Sequence, residues 1–153
     1  MVASPSMMIV AGEASADLHG AELLAELERK RPDVRAFGVG GQSMRAQKFE
    51  ALVPAESMSL AGLTEVLMGL PRMWRIMRQL VRAAREIKPS VVVLIDLPDF
   101  NLRLAKRLKK LGIPVIYYIS PQVWAWRRGR VNKIAQLVDR MLVILPFEKE
   151  LYE

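Results

Sequence analysis

Val91-Val92-Val93-Leu94-Ile95-Asp96-Leu97-Pro98-Asp99-Phe100-Asn101 is the stretch on which the fold turns. Five apolar residues, four of them β-branched, run without a polar interruption, the pattern of a strand buried on both faces of a parallel sheet. The run stops at a carboxylate and a proline. An acid in that position is carried to the rim of the sheet by a rigid element, and ligands of open parallel sheets bind beyond the carboxyl ends of the strands. The same alternation repeats on either side of this stretch. Residues 7–11 form a short apolar run ending in Gly12, and Leu18, Ala21, Leu24, Ala25 and Leu27 recur at helical spacing within residues 14–31. Pro32-Asp33 breaks that helix, and residues 35–39 read as a second strand running into Gly38, Gly40 and Gly41. Downstream, residues 101–111 read as a basic amphipathic helix closed by Gly112, with Pro114 beyond. Residues 115–119 and 141–145 read as buried strands, with a helix near residues 128–138 between them. The chain is therefore expected to be an α/β domain spanning residues 1–153, a Rossmann-like parallel sheet with helices on both faces. No internal repeat or linker is visible, and residues 51–69 carry the weakest pattern.

Composition narrows the chemistry. With 52% apolar and 25% charged residues in 153, the chain can bury a core of its own. Cysteine is absent, which excludes disulfide scaffolds, thiolate metal sites and cysteine nucleophiles. His19 is the only histidine, too few for a histidine-based zinc site, and no metal is expected. No apolar stretch approaches the ~20 residues that cross a bilayer. Residues 1–9 lack a positive start and hold only a short apolar run, so a cytoplasmic setting is expected. The net charge of +7 is unevenly placed. Residues 1–60 hold six Lys/Arg against eight Asp/Glu, net −2, whereas residues 61–153 hold 17 against eight, net +9. A basic half fits a phosphate-bearing partner: a nucleotide, a nucleic acid or an anionic membrane surface.

The residues after each strand are the candidates for function. Asp96, at the end of a buried strand, is a candidate general base, whereas Asp99 or Asn101 can instead cap the following helix. Gly12-Glu13-Ala14-Ser15-Ala16-Asp17 opens a helix whose free N–H groups can hold a phosphate or sugar hydroxyl, or which Ser15 or Asp17 simply caps. It contains no G-x-G-x-x-G fingerprint, which disfavours a nicotinamide-dependent oxidoreductase. His19 reads as solvated or locally bonded, and Gly38-Val39-Gly40-Gly41 as a tight turn. Arg72, Arg75, Arg78, Arg82 and Arg85 fall within a ~140° arc opposite Met73, Trp74, Ile76, Met77, Leu80, Val81, Ala84 and Ile87. That helix has either a solvated basic face or a face for anionic lipid. The apolar segment before it supports the second reading, with Leu63, Val66, Leu67, Leu70 and Trp74 beside Arg72, Arg75 and Arg78 as lipid contacts. In residues 120–130, Trp124 and Trp126 lie beside Arg127, Arg128 and Arg130, a mixture suited to a sugar face and a phosphate, or to a core Trp before a basic helix.

Taken together, Gly-Glu-Ala-Ser-Ala-Asp, Gly-Val-Gly-Gly with Met44, Asp-Leu-Pro-Asp-Phe-Asn, Ser-Pro-Gln-Val-Trp-Ala-Trp-Arg and Leu-Pro-Phe-Glu-Lys-Glu resemble the lipid-A-disaccharide synthase family, in order along nearly the whole chain. The Asp-x-Pro-Asp-Phe-Asn and Ser-Pro-x-Val-Trp-Ala-Trp-Arg elements are the specific ones. The resemblance implies the N-terminal, acceptor-side half of a two-domain, GT-B type inverting glycosyltransferase of Gram-negative lipid A biosynthesis, with the C-terminal half that binds the nucleotide sugar absent. It implies UDP-2,3-diacylglucosamine as donor, 2,3-diacylglucosamine 1-phosphate as acceptor, a β-1,6-linked disaccharide and UDP as products, and no cofactor. Residue by residue, it implies Asp96 as base and Glu13, Ser15, Asp17, Asp99, Asn101, Trp124 and Arg127 as substrate contacts. A peripheral place on the cytoplasmic face of the inner membrane follows, with no nucleic-acid partner and no activity expected of these 153 residues alone. Ala16 stands where the family's first loop has glycine. The alternative is a non-catalytic Rossmann-like module that binds a phosphate ligand or nucleic acid through its basic half.

Overall fold

Strand β1 (Ser6–Ala11) is flanked on both sides by parallel partners, β2 (Arg35–Gly40) and β4 (Val91–Ile95), so that Ile9 lies between Gly38 and Val93, and Ala11 lies beside Ile95. The computed structural model describes residues 4–58, 63–119 and 130–142. Within them, β3 (Glu50–Pro54), β5 (Val115–Tyr118) and β6 (Arg140–Leu142) complete a six-stranded, all-parallel sheet of order β3-β2-β1-β4-β5-β6. This is the doubly wound order, whose direction reverses between β1 and β4. The chain leaving β1 and the chain leaving β4 therefore emerge side by side at the carboxyl edge.

Alternate residues of the central strands supply two cores. Met8, Val10, Val92 and Leu94 pack with Ile76, Met77, Leu80 and Ala84 of α3 (Leu63–Ile87) and with Leu104 and Leu108 of α4 (Pro98–Lys110). Ile9, Ala11, Val93 and Ile95 cluster on the other face with Ala16 and Leu24 of α1 (Ala14–Lys30) and with Met44 of α2 (Gln42–Arg45). Helix α5 (Arg130–Leu137) leads into β6. Burial on both faces is what the unbroken Val-Val-Val-Leu-Ile run demands.

Differences from the sequence reading have local causes. Helix α4 begins at Pro98, three residues before the expected start, because proline suits the first helical position, where its missing N–H is no loss. Helix α2, strand β3 and a 3₁₀ turn at Ala55–Met58 occupy a region with little periodicity to read. Residues 63–70, expected as an apolar segment before the arginine helix, are its first turns. All five arginines of the predicted arc are exposed on α3, opposite buried Ile76, Met77, Leu80 and Ala84. In the Gly-Val-Gly-Gly element, Gly38 belongs to β2 with φ +138°, and a Cβ there would lie 2.1 Å from the Ile9 carbonyl oxygen. The sheet itself requires that glycine. Among the described residues, no helix is long and apolar enough to cross a membrane.

Candidate functional site

The turn leaving β4 is built on two consecutive left-handed residues that are not glycine, Asp96 (φ +51°) and Leu97 (φ +49°). Each such residue costs about 1–3 kcal/mol unless its surroundings hold it. Here they do so from two elements. Asn101 Nδ2 in α4 donates to the main-chain oxygens of Asp96 (2.8 Å) and Ile95 (3.3 Å), and the Tyr117 hydroxyl from β5 donates to the same Asp96 oxygen. The Asp96 N–H is tied to the Tyr118 carbonyl at 3.2 Å. Asn101 is 0% exposed, and its amide nitrogen braces this turn. Its Oδ1 has no partner among the described residues. Leu97 in turn needs the glycine after β1, since a Cβ on Gly12 would stand 2.8 Å from Leu97 Cδ2.

Two acids meet across this edge. Asp96 is half-buried, and Glu13, at the start of α1, is exposed on the neighbouring turn. Partial burial, and after it the negative charge of Asp96, hold the Glu13 carboxyl above its ordinary 4.5. A carboxylate fixed at a strand end beside a second carboxyl can take a proton from a bound hydroxyl.

Next to the two acids opens a cavity of about 1140 Å³. Gly12, Glu13 and Ala14 line it at the start of α1, whose first turn has no side-chain cap. Ser15 is exposed there and does not cap. Asp17 caps a different helix. Its Oδ1 accepts the N–H groups of Gly41 (2.8 Å) and Met44 (3.0 Å), and its Oδ2 that of Ser43 (2.9 Å). Asp17 is 6% exposed and its carboxylate holds these three backbone N–H groups, while the residue also borders the cavity. Ala16 is helical with φ in the ordinary range and packs its methyl in the core.

The opposite wall comes from α3 and α4. Leu70, Met73, Trp74 and Met77 form one stripe of α3, and Leu97, Asp99, Phe100, Arg103 and Arg107 come from the turn and α4. The Arg107 guanidinium lies 5.0 Å from the Trp74 ring centroid. Leu70 and Trp74 are half exposed at this wall, and Arg72, Arg75 and Arg78 project outward with no carboxylate partner among the described residues. Asp96 itself stands beside the cavity, off its wall, whereas its neighbours Leu97 and Asp99 are on it. Leu63, Val66 and Leu67 fall in α3, with side chains outside what is described, and Trp124 and Arg127 lie outside the described residues. His19 makes an edge-on ring contact with Tyr118 at 5.9 Å. Arg103 and Arg107 were not among the sequence candidates, although Asp99, Arg103 and Arg107 follow one another at intervals of four along one helix face. Among the described residues, no cluster of acids and histidine is arranged to hold a metal ion.

Known proteins share this pattern. A family described as lipid-A-disaccharide synthetase matches residues 7–153. A lipid-A-disaccharide synthase of Anaeromyxobacter sp. (strain K) is 63% identical over 147 residues, covering 96% of this chain and 38% of that protein. The one from Myxococcus xanthus (strain DK1622) is 56% identical over 152 residues, 99% of this chain and 40% of the relative. That of Geobacter metallireducens is 50% identical over 147 residues, again 96% and 38%. The chain thus spans about two-fifths of the length of the curated relatives it matches. With the match running from within β1 to the last residue across a doubly wound sheet, the chain belongs to the lipid-A-disaccharide synthetase family.

Proposed function

We propose that this chain is the N-terminal, acceptor-side Rossmann-like lobe of a GT-B type inverting glycosyltransferase that joins UDP-2,3-diacylglucosamine to 2,3-diacylglucosamine 1-phosphate. In this reading a second α/β lobe supplies most of the donor site, and residues 1–153 supply the acceptor cavity and the base. The Asp96 carboxylate takes the proton from the acceptor's 6-hydroxyl as that oxygen forms its bond to the donor's anomeric carbon. The bond from that carbon to the UDP oxygen breaks on the opposite side, and UDP departs with the electron pair. The anomeric centre inverts to the β linkage. In this reading Glu13 and Asp99, which line the cavity, contact the bound sugar, Ser15 does so from the exposed start of α1, and Asp17 and Asn101 keep the two turns in shape. The observation that carries the reading is the braced left-handed turn that fixes Asp96 at the strand-order reversal, beside an open cavity.

The test is a chimera in which residues 7–153 replace the matching part of the Anaeromyxobacter relative. It is expected to form the disaccharide, and Asp96→Asn is expected to lower kcat by about 10²–10⁴-fold, the usual range for losing a positioned base. Turnover near that of the parent would overturn the assignment.

The acceptor carries two acyl chains, so the reading includes peripheral attachment to the anionic cytoplasmic face of the inner membrane. The unpaired arginines of α3, with half-exposed Leu70 and Trp74 alongside, support it. The chain is expected to co-sediment with anionic vesicles at low salt and to detach as salt is raised. Replacing Arg72, Arg75 and Arg78 together with Gln should abolish this, and unchanged sedimentation of that variant would exclude α3 as the attachment face.

A further inference from the structure

Helix α3 presents two chemistries on different sides. Its arginines point outward, whereas Leu70, Met73, Trp74 and Met77, spaced 3, 1 and 3 apart, form a two-turn stripe along one wall of the cavity. Met58, Leu97 and Phe100 extend the apolar lining. At about 1140 Å³ the cavity is larger than the ~300–1,000 Å³ typical of small-molecule sites, more room than a sugar head alone requires.

On the α4 side the same cavity has a cationic lip. Arg103 and Arg107 lie one helical turn apart, and among the described residues neither has a carboxylate partner, although Arg29, Arg31, Arg35, Arg45 and Arg82 all do. Arg107 is half-buried, with its guanidinium carbon 5.0 Å from the Trp74 ring centroid and Nη1 donating to the Arg103 carbonyl at 3.3 Å. A guanidinium over a ring face still has N–H donors for an anion. A trough lined by thioethers, leucines and aromatic rings, ending at two unpaired guanidinium groups, is complementary to one kind of molecule: a hydrocarbon chain bearing a phosphate near its head.

We propose that Arg103 and Arg107 form a lipid-phosphate subsite, with the α3 stripe from Leu70 to Met77 and Phe100 of α4 receiving an acyl chain of the same molecule. The occupant is a single acylated phosphosugar held within the lobe, distinct from the lipid surface met by the outward arginines. The assignment rests on the transferase reading and deepens it: it says which end of the acceptor is gripped, and hence which way its hydroxyl must face to reach Asp96.

The experiment titrates the chain, residues 1–153, with dodecyl phosphate below its micelle concentration, with dodecyl maltoside as the uncharged tail and with inorganic phosphate as the head alone. Dodecyl phosphate is expected to bind at least about tenfold more tightly than either. Arg103→Gln with Arg107→Gln should remove that tenfold preference yet leave vesicle co-sedimentation intact, whereas the Arg72, Arg75 and Arg78 triple variant should lose sedimentation and keep dodecyl phosphate binding. Arg103 is exposed, so its replacement leaves the core untouched, and Leu70→Ser, at a half-exposed position, tests the tail end separately by weakening dodecyl phosphate but not inorganic phosphate. Equal binding of dodecyl phosphate by the Arg103/Arg107 variant, or equal binding of dodecyl maltoside by the parent, would overturn the subsite. Absence of disaccharide formation by the chimera would instead overturn the transferase reading, so the two failures are distinguishable.

Discussion

The corner formed by α1, α2 and β3 and the corner formed by α3 and α4 treat their polar groups in opposite ways. In the first, Asp17 gives both carboxylate oxygens to three backbone N–H groups, and Arg45 is paired with Glu56 at 3.1 Å and Arg35 with Glu50. In the second, the backbone around Asp96 is held by neighbours, and among the described residues its carboxyl group has no hydrogen bond and Arg72, Arg75, Arg78 and Arg103 have no acid to pair with. The first corner uses its charges to fold, and the second leaves them without an anion among the described residues. Net charge alone hides this, because what counts is whether each cation already has its anion.

The contrast can be broken at its strongest point by Asp17→Ala. Three buried or half-buried N–H groups at the start of α2 would lose their acceptor, and a loss of about 2–4 kcal/mol of stability is expected in denaturant unfolding. A loss below about 1 kcal/mol, within the range of an exposed contact, would show that water replaces the carboxylate and that Asp17 is free to act on a ligand. On the other side, Asn101→Ala removes a buried amide that braces a strained turn. It is expected to cost about 1–3 kcal/mol and, in the chimera, to lower kcat with little change in KM, because the base is misaimed while the cavity survives. If Asn101→Ala raised KM and left kcat alone, it would have to be counted with the ligand contacts.

The smallest effect concerns Glu13. Its carboxyl is held above 4.5, so the folded chain keeps the proton to a higher pH than the unfolded chain does. Stability from this group is therefore present below about pH 4 and is lost as pH rises through the raised value. Glu13→Gln should raise stability slightly at pH 7, by no more than about a few tenths of a kcal/mol given solvent screening, and the advantage should vanish in acid. An advantage that persisted at pH 3 would mean packing, and not the partial burial and neighbouring Asp96 charge that raise this carboxyl, sets the effect.

Much of the fold is legible in the residues because the central strands are buried on both faces and admit only apolar side chains. Residues 91–95 were read with the bounds that β4 has, and residues 14–31 came within one residue of α1. Helix α2 escaped because four residues give no period, and β3 because an edge strand of mixed exposure ending in Pro54 lacks both an apolar run and a clean alternation. At the site, Asp96 could be picked out since its position follows from one strand alone. The place of Asp17 could not, because its partners are 24 to 27 residues away. Arg103 and Arg107 were visible as a helix face but not as part of a cavity, which exists only when α3 packs beside α4.

The brace at Asp96 has a mechanical consequence. In the two-lobed transferase proposed above, an acid on a free loop would lose its aim whenever one lobe swung relative to the other. Here one rivet comes from β5 through Tyr117 and another from α4 through Asn101, so the acid turns with the slab as a whole and keeps its bearing however the lobe is oriented.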